Sequence, residues 1–208
     1  MDKISVPMAM VDLVPVILFF VATLFQMKVF YPRMTPGQYA MYSTGAIMLF
    51  IGGILKVVWK FLYVLSVCDY ELLSEQFFPM QGFAFVLLAI SLISTLSRKD
   101  KKNTLFEAAP AVPLVTTHIP FLIMTFFGTT AWHIALLRVG FLTKKKSMIF
   151  FILSYAASMA QVVLASKFDD SPSMHWTAEF TNILAQSSLV TGSYLVMKHL
   201  KETSVSEN

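Results

Sequence analysis

Apolar stretches of membrane-crossing length, separated by short clusters of charge, repeat from one end of this chain to the other. A helix rises 1.5 Å per residue and needs about 20 mostly apolar residues to cross the hydrocarbon core of a bilayer. Residues 8–25, 36–66, 77–96, 148–166 and 176–197 meet that requirement, and 77–96 contains no charge at all. The bilayer is therefore the expected solvent. Composition agrees: 56% of the 208 residues are hydrophobic and 13% charged, against about 45–50% and 25% in soluble domains.

Once these stretches are removed, nothing long enough for a soluble domain is left, so residues 1–208 read as a single integral membrane domain. The apolar run after Lys3 resembles a signal peptide, but no small-residue cleavage site follows Phe25, and the first segment is expected to remain as a helix. The net charge of +4 comes in clusters between apolar segments. That is the pattern of topology signals and not of a nucleic-acid-binding face. The sole cysteine, Cys68, excludes an internal disulfide, a CxxC redox pair and a thiolate zinc cluster.

The stretch 108–142 is apolar except for His118, His133 and Arg138. As one helix it would be roughly 50 Å long; as two, each is short. Charge arbitrates between these. The runs Arg98, Lys99, Lys101, Lys102 and Lys144, Lys145, Lys146 flank it, and two basic loops belong on the cytoplasmic side, which requires an even number of crossings between them. The reading is two helices, 108–127 and 129–142, turning at Gly128-Thr129-Thr130.

The expected fold is thus an all-α polytopic membrane protein, a seven-transmembrane-helix bundle in the cell membrane with the N-terminus outside and the C-terminus cytoplasmic. Its segments A to G are 8–25, 36–66, 77–96, 108–127, 129–142, 148–166 and 176–197. Six helices with one long kinked fourth helix is the alternative. Thr35-Pro36 marks the start of segment B, a cap followed by proline at the first helical position. Asp69, Glu71, Glu75, Asp169 and Asp170 then lie outside.

Segments A-B-C and E-F-G share one order of charge, a basic loop, an acidic loop and a basic end, with Asp69 and Asp169 as well as Arg98 and Lys198 at matching places. This suggests a 3+1+3 plan with parallel repeats. The layout resembles that of the SWEET sugar transporters and the microbial rhodopsins. The likeness is one of layout only: the SWEET Pro-Gln dipeptide is absent, Pro79-Met80-Gln81 being an imperfect echo, and segment G has no central lysine for retinal. No activity follows from it.

Ionisable groups inside a bilayer are costly, which makes them functional candidates. Asp12, Lys56, Lys60, Gln81, His133 and Glu179 all fall in the outer half of the expected bundle. On segment G, at 100° per residue, His175, Glu179, Asn182, Gln186 and Ser193 form one narrow polar line between Phe180, Leu184 and Val190. Such a line faces either a water-filled cavity or neighbouring helices as hydrogen-bonding glue. Lys56 and Lys60, four residues apart, share a face. They either pair with Asp12 and Glu179 or snorkel to the outer surface beside Trp59. Ser154-x3-Ser158 and Ala156-x3-Ala160 carry the small spacing for close helix packing within the chain.

His118, His133, Asp12 and Glu179 have no i, i+3 or i+4 pairs among them, and HExxH, GxSxG, P-loop and GxGxxG motifs are absent. No cofactor, metal or catalytic residue is expected. The expected ligand site is Asp12, Lys56, Lys60, Gln81, His133, Glu179, Asn182 and Gln186. It would bind or transport a small polar or charged solute from outside, and charges of both signs suit a zwitterion or an anion. The alternative is a non-transporting sensor or accessory subunit that acts through a membrane protein partner. An intramembrane enzyme has only scattered histidines and carboxylates behind it.

Overall fold

The structure, a computed structural model, describes residues 5–97, 119–166 and 171–206, and every regular element among them is helical. Helix α1 (Val6–Phe30) runs into a 3-10 turn (Tyr31–Arg33), and α2 spans Pro36–Val64. A single turn, α3 (Leu72–Glu75), leads to α4 (Phe77–Ser97), followed by α5 (Ile119–Leu142), α6 (Lys145–Ser166) and α7 (Pro172–Ser206). Among the described residues, five spans are long and apolar enough to cross a membrane: Val6–Arg33, Pro36–Val64, Leu72–Ser97, Pro120–Leu142 and Lys145–Leu164. The chain is a helical membrane protein. Its outer surface agrees, because Met10, Ile17, Ile47, Phe127, Ile134 and Ile149 are each at least half exposed on the outside of the helices, where only lipid would solvate them favourably.

Local chemistry sets the ends of α2. Thr35 accepts from the Gln38 backbone N–H while the Gln38 side chain accepts from the Thr35 N–H, and Pro36 takes the first helical position. This reciprocal cap satisfies donors that the first helical turn would otherwise leave free. At the other end, Ser66 adopts a left-handed backbone (φ 54°), its N–H bonds the Tyr63 carbonyl, and the Val67 N–H bonds that of Leu62. That is a Schellman closure with serine in the position usually held by glycine.

One sequence expectation is corrected. α5 passes through Gly128, Thr129 and Thr130 without a turn. Gly128 is a packing point instead: a Cβ there would lie 2.9 Å from the Phe85 and Val86 backbone of α4, so only glycine permits this approach. Thr130 returns its hydroxyl to the Phe126 carbonyl, as threonine does inside a helix. The first part of expected segment D, with His118, lies outside the described residues, as do the basic run from Arg98 to Lys102 and the pair Asp169 and Asp170.

Among the described residues, six long helices pack in a closed ring, in the order α1, α2, α4, α5, α6, α7 and back to α1. Residue pairs fix their directions. Phe30 meets Tyr42 and Phe20 meets Phe50, so α1 and α2 are antiparallel. Gly45 lies against Ala84 and Gly52 against Met80, which makes α2 and α4 antiparallel. Gly82 faces Phe121, and Phe85 meets Gly128 and Trp132, so α4 and α5 run parallel. His133 with Ser154 and Gly140 with Ser147 make α5 and α6 antiparallel, as Gly192 on Phe151 and Gln161 on Ala178 do for α6 and α7. Finally, α1 and α7 are parallel, with Asp12 and Glu179 meeting at Lys60 near their starts and Gln26 on Ser193 further along.

These directions sort the charges. Exposed Lys28, Arg33, Arg138, Lys145, Lys146, Lys198 and Lys201 fall at one end of the ring, and exposed Asp69, Glu71 and Glu75 fall at the other. The dry core, which includes Tyr42, Leu88, Leu92, Trp132, Leu136, Phe151 and Leu189, fills the half nearer the basic end.

Candidate functional site

In the acidic half the interior of the ring is not filled by side chains. A cavity of about 700 Å³ lies there, lined by residues from all six long helices and from the segment between α2 and α4. This is within the roughly 300–1,000 Å³ of pockets that hold small ligands. Phe19 and Phe85 stand at its inner limit, both against the buried indole of Trp132. Asp69, Glu71 and Glu75, all exposed, line its mouth.

The chemistry concentrates on one wall. Near the start of α1 is Asp12, near the end of α2 is Lys60 and near the start of α7 is Glu179, which the antiparallel and parallel contacts bring to one level. Lys60 donates a hydrogen bond to Glu179 Oε1 at 2.5 Å, and its Nζ lies 2.7 Å from Asp12 Oδ2 as an ion pair outside hydrogen-bond geometry. All three residues are under 5% exposed. Burying charges is tolerable only when they are paired, and one ammonium here serves two carboxylates. Pro15, one turn beyond Asp12, lines the cavity and removes a backbone donor from α1.

Lys56, one turn before Lys60, is half-buried on the cavity wall with its Nζ 5.0 Å from the centre of the Phe77 ring. A cation over an aromatic face is stabilised by the ring quadrupole. Trp59 donates to Asp69 Oδ1 at 3.0 Å and tilts against Tyr63, so the outer rim of α2 is aromatic. Across the cavity, Gln186 donates to Asn182 Oδ1 at 3.4 Å while its own Oε1 has no partner among the described residues. On α5, the buried hydroxyls of Thr125 and Thr129, four residues apart on one face, also lack partners and line the cavity.

Of the residues singled out by sequence, Lys56, Lys60, Gln81, Glu179, Asn182 and Gln186 line this cavity, with His175 nearer its mouth. Asp12 stands behind Lys60 as its counter-ion. His133 is set apart: it is buried with Nδ1 at 2.9 Å from the Thr129 carbonyl and Nε2 at 3.2 Å from Ser154 Oγ, between Trp132 and Tyr155. Nδ1 is bonded within α5 and Nε2 ties α5 to α6. Among the described residues, no three His, Cys, Asp or Glu side chains form a group that could hold a metal ion. Ser154 and Ala157 face inward on α6 and Ser158 reaches the cavity, whereas Ala156 faces outward.

Several residues of the region escape a reading by charge and period. The aromatic walls (Trp59, Tyr63, Phe77, Phe85) look like lipid-facing side chains in sequence, Thr129 falls at the expected turn, and Thr125 lies unmarked within expected segment D. Toward the basic end, Gln26 donates to Ser193 at 2.8 Å and accepts from the Tyr42 hydroxyl, tying α1, α2 and α7 together beneath the cavity. A glutamine inside an apolar helix was the available signal. No family model matches the chain, and no curated protein or solved structure is significantly similar to it.

Proposed function

We propose that this membrane protein binds a small polar or charged solute in the cavity, reached from the acidic end of the bundle. The observation that carries the reading is the buried Asp12–Lys60–Glu179 cluster beside a cavity bordered by unpartnered polar atoms. A bundle that needed only packing would be more stable with apolar side chains at these places. Charged and unsatisfied groups kept around a space of ligand size have a ligand as their physical rationale.

The same reading has seven crossings. α4 ends at the basic end and α5 begins at the acidic end, so an added crossing between Ser97 and Ile119 accounts for two parallel neighbours. Units α1-α2-α4 and α5-α6-α7 then correspond as parallel repeats, with the α1–α7 contact matching α5–α4. The positive-inside rule puts the basic end in the cytoplasm, hence the N-terminus and the cavity mouth outside. Two parallel units around a central site provide a layout in which rocking of one against the other moves a bound solute across.

The test is thermal stabilisation of the purified protein in detergent by a panel of amino acids, organic acids, organic amines and polyols. At least one class should raise the melting temperature of the native protein and leave an Asn182→Trp variant, whose cavity is filled, unchanged. No stabilisation by any class, or equal stabilisation of both proteins, would overturn the proposal.

A further inference from the structure

With every group ionised, the buried cluster of Asp12, Lys60 and Glu179 carries one net negative charge, and its surroundings do not cancel it. On α2, half-buried Lys56 acts on both carboxylates, but it forms no ion pair among the described residues and its ammonium sits over the Phe77 ring. Between α2 and α4, Asp69, Glu71 and Glu75 add three exposed carboxylates at the mouth, where α7 adds the imidazole of His175. Among the described residues, α4, α5 and α6 bring no charged side chain to this level. Five carboxylates thus face two lysines.

The geometry of the cluster shows where a proton would relieve this excess. The oxygens that meet the Lys60 ammonium, Glu179 Oε1 at 2.5 Å and Asp12 Oδ2 at 2.7 Å, are at most about 5 Å apart, and the two carboxyl groups also interact directly. Buried carboxylates that lack full compensation neutralise, and two that share one site do not both ionise. Asp12 Oδ2 is buried, yet it accepts no hydrogen bond among the described residues. A proton on Glu179 turns that side chain into a donor toward Asp12 and leaves it able to accept from Lys60. Asp12 and Lys60 then remain as a balanced pair.

We propose that Asp12 and Glu179 share one exchangeable proton, which makes the cluster a proton-binding site on the cavity wall. Glu179 lines the cavity and Asp12 stands behind it, so exchange runs through Glu179. Its O–H bond breaks, the electron pair stays on the carboxylate, and the proton passes to water entering the cavity. Asp12 stays ionised as the partner of Lys60. The site needs a wet cavity but no solute, so it stands or falls apart from the solute-binding reading.

Infrared spectra of the full chain in detergent at pH 7 test this, because a protonated carboxyl has a carbonyl stretch that a carboxylate lacks. The native protein should show such a band, equivalent to one carboxyl per chain, and it should shift on transfer to heavy water. Glutamate labelled with 13C at its side-chain carboxyl should move it. Asp12→Asn and Glu179→Gln should each abolish the band, since a single carboxylate then faces Lys60, while Glu75→Gln at the mouth should leave it in place. A native protein without the band would overturn the proposal, as would a band untouched by the label, retained in either cluster variant or lost in Glu75→Gln. If a cluster variant fails to fold, the labelled native spectrum still decides.

Discussion

Lys60 is the keystone of the buried cluster, and its removal should be far more damaging than removal of either carboxylate. Its ammonium lies 2.7 Å from Asp12 and 2.5 Å from Glu179. At an effective dielectric constant of about 20, each contact is worth roughly 6 kcal/mol of Coulomb energy, most of it cancelled by desolvation. Breaking a buried pair by deleting one partner costs about 3–5 kcal/mol. Lys60→Met leaves two buried carboxylates without their ion-pair partner, the half-buried Lys56 being the remaining cation that acts on them, and should reach about that cost, a fall of roughly 10 °C in melting temperature for a chain of this size. Glu179→Gln or Asp12→Asn leaves one cation with one anion and should cost about 1–2 kcal/mol. The triple change Lys60→Met, Asp12→Asn, Glu179→Gln leaves no charge to compensate and should recover most of the loss. Unfolding of the native protein and the four variants in one detergent, followed by tryptophan fluorescence, gives the coupling directly. Strictly additive effects, with the triple variant the least stable, would show that the three groups do not act together.

Gly128→Val should separate α4 from α5, since even a Cβ at this place meets backbone at 2.9 Å; overpacking of this kind costs about 1–3 kcal/mol, and a melting temperature equal to native would contradict the packing. Gln26→Leu strands the Tyr42 hydroxyl and should cost about 1–3 kcal/mol, whereas adding Tyr42→Phe should return part of that loss, and a further drop would speak against the network. Thr35→Ala should cost about 0.5–2 kcal/mol through the α2 cap, while Thr203→Ala, exposed near the end of α7, should be neutral. Single cysteines at positions 101 and 145, in a Cys68→Ser background, should label from the same side of the membrane; labelling from opposite sides would remove the crossing between α4 and α5.

The sequence carries the helices more fully than their partners. Apolar length alone locates four of the five membrane-length spans among the described residues, the fifth, Pro120–Leu142, being one helix where two were expected, and Thr35, Pro36 and Gln38 hold enough local chemistry to mark where α2 begins. The polar line of α7 is legible because a 3.6-residue period turns spacing into a face. Gly128 is not legible, because the same residue suits a turn and a close helix contact, and only the presence of the α4 backbone decides between them. Lys56 and Lys60 share a face, so period cannot tell which pairs with Glu179; that depends on the level at which α7 lies beside α1. Gln26 was cut off by a segment boundary at 25, although α1 continues to Phe30. His133 shows the opposite limit, for its charge-bearing chemistry is spent on Thr129 and Ser154, partners that no one-dimensional pattern reveals.

The central claim is a solvent-reachable cavity at the acidic end, walled by one face of α7 and closed toward the basic end. Its most direct test is a cysteine scan of α7 at His175, Asn182, Gln186 and Ser193 in the Cys68→Ser background, with a membrane-impermeant thiol reagent applied to each side of the membrane in turn. Positions 175, 182 and 186 should react from the side bearing Asp69 and Glu71, with rates falling inward, and 193, sealed by Gln26, should stay silent from both. Silence at 182 and 186, or labelling of them only from the side bearing Lys145, would contradict the account.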